Sequence, residues 1–417
     1  MKLSQFGKRF TAKTGIMDLM EDLGRAMNGN EDICMLGGGN PAHIPEVNAI
    51  WRKRMEEILA SGTEFEKMLA NYDTPQGKWS FIEALAQLLN REFGWPVGPE
   101  NIAITNSSQS AFFYLFNLFS GETGSAGKNR ILFPQSPEYI GYADQAIDPD
   151  AFISCRSAIE MIDDHTFKYC VDFDNLRVDS SIAAMCVSRP TNPTGNVLTD
   201  EEIKRLSGLA AEHGVPFLID NAYGTPFPEI IFRKVTPFWN NNIIMGMSLS
   251  KLGLPSVRTG IIVANKDIID ALSAVNAIVS LASGSIGQVI TQPLVENNEI
   301  LRISREIIRP FYLKKSRQAV SYIHQEFDDK WPYAVHLSEG ALFLWIMMKD
   351  LPVTARELYE KLKQKNVLVI PGNFFFFGLP DYQRHQDECI RLTYSQPDDD
   401  VYRGIDIIAG TLRELYG

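Results

Sequence analysis

Apolar residues recur at helical spacing over residues 46–70, where Val47, Ile50, Met55, Ile58 and Leu59 predict one amphipathic helix. YDTPQGKWS predicts a turn, and FIEALAQLLNREFG a second helix closed by Gly94. Short apolar runs then alternate with helical patterns. NIAIT reads as a strand and NSSQSAFFYLFNLFS as a hydroxyl-rich turn opening an apolar helix. RILFPQSPEYIGY is a strand running into a proline-bounded loop, and AAMCVSRPTNPTGNVL a buried strand ending in a turn. TDEEIKRLSGLAAEHG carries Thr199 as an N-cap, acids in its first turn and Gly214 beyond its end. VPFLIDNAYG, NIIMGMSLSK and RTGIIVANKD are further strands. Strands alternating with helices imply right-handed crossovers and a mainly parallel sheet covered on both faces.

After about residue 290 the rhythm changes to a long helix interrupted at Pro310, then ALFLWIMM, VLVIPG and ECIRLTYS as strands between helices. This block predicts a smaller α+β domain. The expected division is a large α/β domain over 46–300 and a small domain built from 1–45 and 301–417. A length of 417 residues agrees with two domains.

Composition mostly excludes. A net charge of −11 argues against a broad nucleic-acid surface or an anionic-membrane surface. No apolar run is long enough to cross a membrane, and MKLSQFGKRFTAKTG lacks the apolar core of a signal peptide. The 5 Cys are scattered without CxxC spacing, which suggests reduced thiols in a cytoplasmic protein. The 6 His show no HExxH or HxxxH pattern, so no metal site is expected.

The candidate chemistry gathers where strands end, and in open α/β sheets ligands sit beyond those carboxyl ends. Ser107, Ser108 and Gln109 open a helix, whose N–H groups favour an anion. Ser248, Ser250 and Arg258 could add donors to a phosphate; the plain alternative is helix caps and a surface Arg. Asp220 ends the apolar run FLID, where a carboxylate needs a cation or donors. It could hold a proton on a heteroaromatic nitrogen or merely cap a turn. Lys251 stands among hydroxyls in SLSKLGLPSVRTG. In a partly dry pocket near Arg258 its pKa would fall, freeing the amine to attack a carbonyl; most lysines are simply on the surface.

Taken together and in order, NPTG, FLIDNAYG, SLSKLGLPSVRTG and ECIRLTYS resemble the class-I, fold-type-I aminotransferases that use pyridoxal 5′-phosphate. Asn192 to Asp220 spans 28 positions and Asp220 to Lys251 spans 31. The resemblance runs from GGGNP to the end of the chain. It implies that Lys251 binds the cofactor aldehyde covalently and serves as general base and acid. Asp220 would pair with the ring nitrogen, Asn192 and Tyr223 with the ring 3′-oxygen, and Tyr139 would stack on the ring. Ser107, Ser108, Gln109, Ser248, Ser250 and Arg258 would hold the phosphate. Tyr72 would reach the phosphate of a partner copy, which implies a homodimer. Arg391 would grip the substrate carboxylate, with Asn192 and a backbone donor at Gly39 beside it.

Segments such as MLGGGNPAHIPE, YDTPQGKWSFIEALAQLL and REIIRPFYLKKSRQAV resemble the branch that exchanges amino groups between valine or alanine and pyruvate or 2-oxoisovalerate. Two positions depart from the family pattern. Ser107 stands where glycine is usual, and a Cβ there demands an unstrained backbone. Arg258 follows Lys251 by seven residues where many relatives show eight, a tightening that Pro255 could manage.

PGNFFFFG at 371–378 could line an apolar side-chain pocket together with Tyr139, or could be core packing. Other aminotransferases of the class, of broad or aromatic specificity, and β-lyases or decarboxylases of the superfamily are the enzymatic alternatives. A regulator with an aminotransferase-like sensor would need a helix-turn-helix module in the ~45 residues ahead of the large domain, which is too little chain. A nucleotide-binding α/β protein would need a GxGxxG or GxxxxGK[ST] turn, and neither occurs.

Overall fold

The structure is a computed structural model that describes residues 1–12, 24, 33–124 and 127–417. One sheet runs in the order Ile102–Thr105, Gly260–Val263, Ile243–Ser248, Phe217–Asp220, Ile182–Ser188, Lys128–Phe133 and Gly121–Glu122, with Phe152–Ser154 also pairing to Lys128–Phe133. The middle strands are parallel and buried, as their unbroken apolar runs require. Gly260–Val263 is antiparallel to both its neighbours.

Register lines up two rows of residues at one rim. Ser188, Asp220 and Gly246 are successive partners. Thr105, Gly260 and Ser248 form the second row.

A six-strand sheet holds, in order, Ile370–Pro371, Cys389–Thr393, Phe343–Met348, Tyr333–His336, Thr166–Cys170 and Ala158–Met161. The last two strands come from the middle of the chain and escape the sequence pattern. All four residues of Ala158–Met161 are exposed, so no apolar alternation marks that edge. Thr166–Cys170 hides Lys168 in its buried face, where Glu339 and Asn196 neutralise it.

The N-terminal segment reaches the C-terminal part of the chain. Cys34–Met35 pairs parallel with Val367–Leu368, and Thr393 N–H donates to Leu36 O at 2.7 Å.

Three expected elements differ. Residues 46–70 form two helices, Pro45–Ala60 and Glu64–Ala70, because Gly62 takes a φ of 48° and breaks the ladder. Leu59 consequently faces solvent, 60% exposed. VLVIPG is split between the Val367–Leu368 and Ile370–Pro371 pairings, with Val369 between them. The helix around Pro310 is not cut but widened. A π turn over Ile303–Ile308 precedes Arg309–Glu326, accommodating a residue with no N–H to donate.

Candidate active site

Asp220 ends the strand Phe217–Asp220, nearly fully buried. Its two oxygens are held separately: Oδ1 accepts the Ala222 N–H at 2.9 Å, and Oδ2 accepts the Tyr142 hydroxyl. Burial raises its pKa, while those two bonds and the charge of Lys251 pull it back down. Lys251 follows the strand Ile243–Ser248 and sits half-buried in a 3₁₀ turn. Its Nζ donates to Gly39 O at 2.6 Å and lies 5.2 Å from the centre of the Tyr223 ring. Burial, then Arg391 and Arg258, lower its pKa to about 8, against the pull of Asp220. Amine and carboxylate therefore share one cavity, of about 400 Å³.

Beside them is a donor-rich turn. Ser107 caps the helix Ser108–Phe119, its Oγ accepting the Ser110 N–H at 3.2 Å. The backbone of Ser107 has φ 133° and ψ 161°, a region that is nearly glycine-only. The expectation of an unstrained backbone there is thus wrong. Ser107 keeps the conformation a glycine would have, held by Thr105 Oγ1 donating to its carbonyl at 2.8 Å.

The turn is pressed against Gly260. A Cβ on Gly260 would fall 2.3 Å from Ser107 C and 2.4 Å from Ser108 N, so only glycine lets the two backbones meet. Pairing of Gly260 with Ser248 brings Ser248 to the same place. There the Ser248 hydroxyl donates to Ser250 Oγ at 3.0 Å. The short spacing from Lys251 to Arg258 is absorbed by left-handed backbone at Gly253 and Arg258 around the 3₁₀ turn Pro255–Val257.

Arg391 lies on the strand Cys389–Thr393, buried. One terminal nitrogen donates to Asn192 Oδ1 at 2.8 Å and the other to Gly37 O at 2.7 Å. Its guanidinium carbon is 4.0 Å from the Phe343 ring centre. Its Nε is buried without a partner. Burial lowers its pKa to about 10, which leaves it cationic at neutral pH. This is a pre-aimed, incompletely satisfied anion receptor.

Tyr139, half-buried, packs edge-on against Tyr142 at 5.1 Å. Burial also raises the Tyr223 pKa, so its hydroxyl stays protonated.

The cavity lining thus gathers Gly39, Ser107, Ser108, Gln109, Tyr139, Asn192, Asp220, Tyr223, Ser248, Ser250, Lys251, Arg258 and Arg391. Tyr72 stands outside it, 84% exposed. Gly39 meets Lys251 through its carbonyl. Phe374 to Phe377 do not line the cavity; Phe375 and Phe377 pack on Trp345 and on Phe133. Core packing is therefore the reading for that run, and only Ile370 just before it reaches the lining. Tyr142, Ser188 and Gly260 were not singled out from sequence. Tyr142 sits inside the quoted PEYIGY, three residues beyond Tyr139, and its fully buried hydroxyl is what marks it.

The family described as aminotransferase class I and II matches residues 36–408. The chain belongs to that family. This aminotransferase is 46% identical over 416 residues to the valine–pyruvate aminotransferase of Escherichia coli (strain K12), covering 100% of this chain and 99% of that one. The crystal structure of valine–pyruvate aminotransferase from Salmonella typhimurium LT2 superposes with a TM-score of 0.89 at 45% identity, over 96% of this chain and 99% of that one. An aspartate aminotransferase from Thermus thermophilus, at 20% identity and a TM-score of 0.78 over 99% and 100% of the two chains, shares the fold.

The enzyme depends on pyridoxal 5′-phosphate, and the cavity fits that group by its donor set. It offers an amine for an aldehyde, a buried carboxylate for a ring nitrogen, aromatic rings for the ring faces, and hydroxyls, backbone N–H groups and Arg258 for a phosphate. Among the described residues no helix is long and apolar enough to cross a membrane, and no cluster of possible metal ligands occurs.

Proposed function

We propose that this aminotransferase exchanges the amino group and α-hydrogen of valine or alanine for the keto oxygen of pyruvate or 2-oxoisovalerate. The observation that carries the reading is the cavity's charge inventory. Among the described residues its cations are Lys251, Arg258 and Arg391. With Arg258 on the phosphate and Arg391 on the α-carboxylate, this chain's own lining leaves none for a side-chain carboxylate. Ile140, Pro190, Ala222, Pro255 and Ile370 supply apolar lining for a small neutral side chain. The full-length likeness to valine–pyruvate aminotransferases supports the same substrates.

Bound pyridoxal phosphate supplies an electron sink for the pair left when the Cα proton departs. The chain's own groups do the rest. Asp220 holds the ring nitrogen and keeps its proton in place. Asn192 and Tyr223 donate to the ring 3′-oxygen, and Tyr139 covers a ring face. Ser107, Ser108, Gln109, Ser248, Ser250 and Arg258 anchor the phosphate. For Ser107 the contact proposed is its backbone N–H at the helix start, while its hydroxyl accepts the Ser110 N–H. Arg391 fixes the substrate carboxylate with its partly unpaired fork, and Asn192 orients that fork. The Lys251 amine, uncharged above about pH 8, takes and returns the Cα proton.

A homodimer and a cytoplasmic setting are parts of the same proposal. Exposed Leu69, Tyr72 and Trp79 lie beside exposed Ile278, Val279, Leu281 and Ile286. The two segments are tied by Ser285 to Asp73 at 2.6 Å and by Asn276 to Pro75 O at 2.7 Å. An apolar face of this kind suits a second copy, whose cavity Tyr72 would then reach. The domain division of 46–300 against 1–45 with 301–417 also stands as a proposal; its 13–23, 25–32 and 125–126 lie outside the described residues.

Single half-reactions of the cofactor-loaded enzyme with valine, alanine, aspartate and aromatic amino acids, read by cofactor absorbance, test the substrate. Valine and alanine should react and aspartate should not. No reaction with either neutral acid overturns the substrate reading, and release of ammonia instead of transamination would favour a lyase.

A further inference from the structure

Glu138 is a fully buried carboxyl that the reaction above does not use. Its Oε1 accepts the Ser188 N–H at 3.0 Å and Gln135 Nε2 at 3.1 Å. Its Oε2 accepts the Ser188 hydroxyl at 2.5 Å and the Tyr139 N–H at 3.2 Å. Its own N–H donates to Phe375 O at 3.0 Å. Gln135 Nε2 also donates to Thr191 Oγ1 at 2.8 Å, next to Asn192. The side chain therefore joins the loop bearing Tyr139 to the strand end leading to Asn192, and the backbone of the same residue ties both to the turn whose Phe375 ring lies 5.3 Å from the Arg391 guanidinium.

We propose that Glu138 is a positioning residue for transamination: as a carboxylate it clamps Tyr139 and the Asn192 turn together across the cavity, and a proton on it opens the clamp.

The hydrogen-bond inventory requires this. Every partner of the two oxygens is a donor in the ionised state, and only the Ser188 hydroxyl can turn round to accept. A proton on Oε2 makes the Ser188 hydroxyl turn round to accept it and leaves Oε2 a weaker acceptor for the Tyr139 N–H. A proton on Oε1 displaces Ser188 N–H or Gln135.

Its bonded partners carry no charge. The titratable groups facing it are Tyr139 and Tyr142 on its own loop, Cys186 on the Ser188 strand and Asp220 on the next strand. None brings a positive charge. The turn containing Phe375 brings no titratable group; buried Arg189, next to Ser188, is bound to Leu198 O and Asp200, and buried Lys168 to Asn196 and Glu339. Burial accordingly pushes the Glu138 pKa up to about 7, against the pull of Ser188, Gln135 and Tyr139. The clamp thus changes state close to neutral pH.

The inference rests on the proposed contacts of Tyr139 and Asn192 with the cofactor, but the titration of the carboxyl does not. Infrared difference spectra of the holoenzyme, taken about one unit either side of pH 7, should show a carboxylic-acid band that Glu138→Gln lacks. Ser188→Ala, which removes a bond favouring the ionised form, should move the midpoint up. In parallel, wild-type kcat/KM should fall on the acid side of that midpoint. Glu138→Gln should lower kcat/KM about ten- to a hundred-fold at alkaline pH and make the acid limb shallower, leaving only the part that belongs to Lys251. It should also alter the visible circular dichroism of the bound cofactor by shifting Tyr139. No such band in the wild type, or an infrared midpoint unmoved in Ser188→Ala, overturns the proton. An unaltered rate profile and dichroism in Glu138→Gln overturn the positioning role. A wild type that binds cofactor but does not transaminate would strike the function reading alone, and the dichroism would still decide this one.

Discussion

Ser107 makes the sharpest test of how the phosphate turn is built. Its backbone, at φ 133° and ψ 161°, lies where a side chain costs about 1–3 kcal/mol. Ser107→Gly removes that strain. It also loosens the unfolded chain by about 0.5–1 kcal/mol and exchanges the Ser cap for a Gly cap at a few tenths of a kcal/mol. The expected net is neutral to stabilising by roughly 1 kcal/mol. Ser107→Ala keeps the strain and loses the cap to Ser110, for a destabilisation of about 1 kcal/mol. The glycine variant should therefore exceed the alanine variant by about 1–2 kcal/mol. Urea unfolding of both, at equal slope, measures the gap. Cofactor affinity should survive in the glycine variant, because the proposed phosphate contact at this position is the backbone N–H, which glycine keeps. Equal stability of the two variants would refute the strain argument, and loss of cofactor binding in the glycine variant would refute the backbone role.

Gly260→Ala should do the reverse: its Cβ would sit 2.4 Å from Ser108 N, so the turn must back away. The expected destabilisation is about 1–3 kcal/mol, with a weaker hold on cofactor phosphate, both checked by thermal unfolding and equilibrium dialysis. In the cofactor-free enzyme the Lys251 amine, lowered to about 8, should react with a probe aldehyde at a rate that rises with pH through that value. The sign follows because only the uncharged amine adds to a carbonyl. A midpoint at the ordinary lysine value of 10.5 would contradict the buried, cation-flanked setting.

What could be read from the sequence, and what could not, divides along a physical line. The strand ends at Asp220 and Ser248 announced themselves because a polar residue closing a buried apolar run is energetically conspicuous. Thirteen residues singled out that way, or by likeness to the family, line one cavity. Tyr142 and Glu138 stayed hidden because their importance lies in what they touch across the sheet, and an isolated string gives no such distances. The strand around Lys168 was masked by a charge whose neutralising partner, Glu339, comes 171 positions later. The strain at Ser107 ran against expectation because local sterics forbid what Gly260 and Thr105, from elsewhere in the fold, impose.

The bond from Arg391 to the carbonyl of Gly37 spans 354 positions. The proposed carboxylate receptor therefore cannot exist until Arg391 itself has been made. Asp220 and Lys251 precede the strand bearing Arg391 in the chain, but without it they have no grip on an amino acid. Closure of such distant contacts is slow compared with local folding. On the proposed reading, substrate recognition waits on the strand Cys389–Thr393, and any shortening that removes that strand forfeits it.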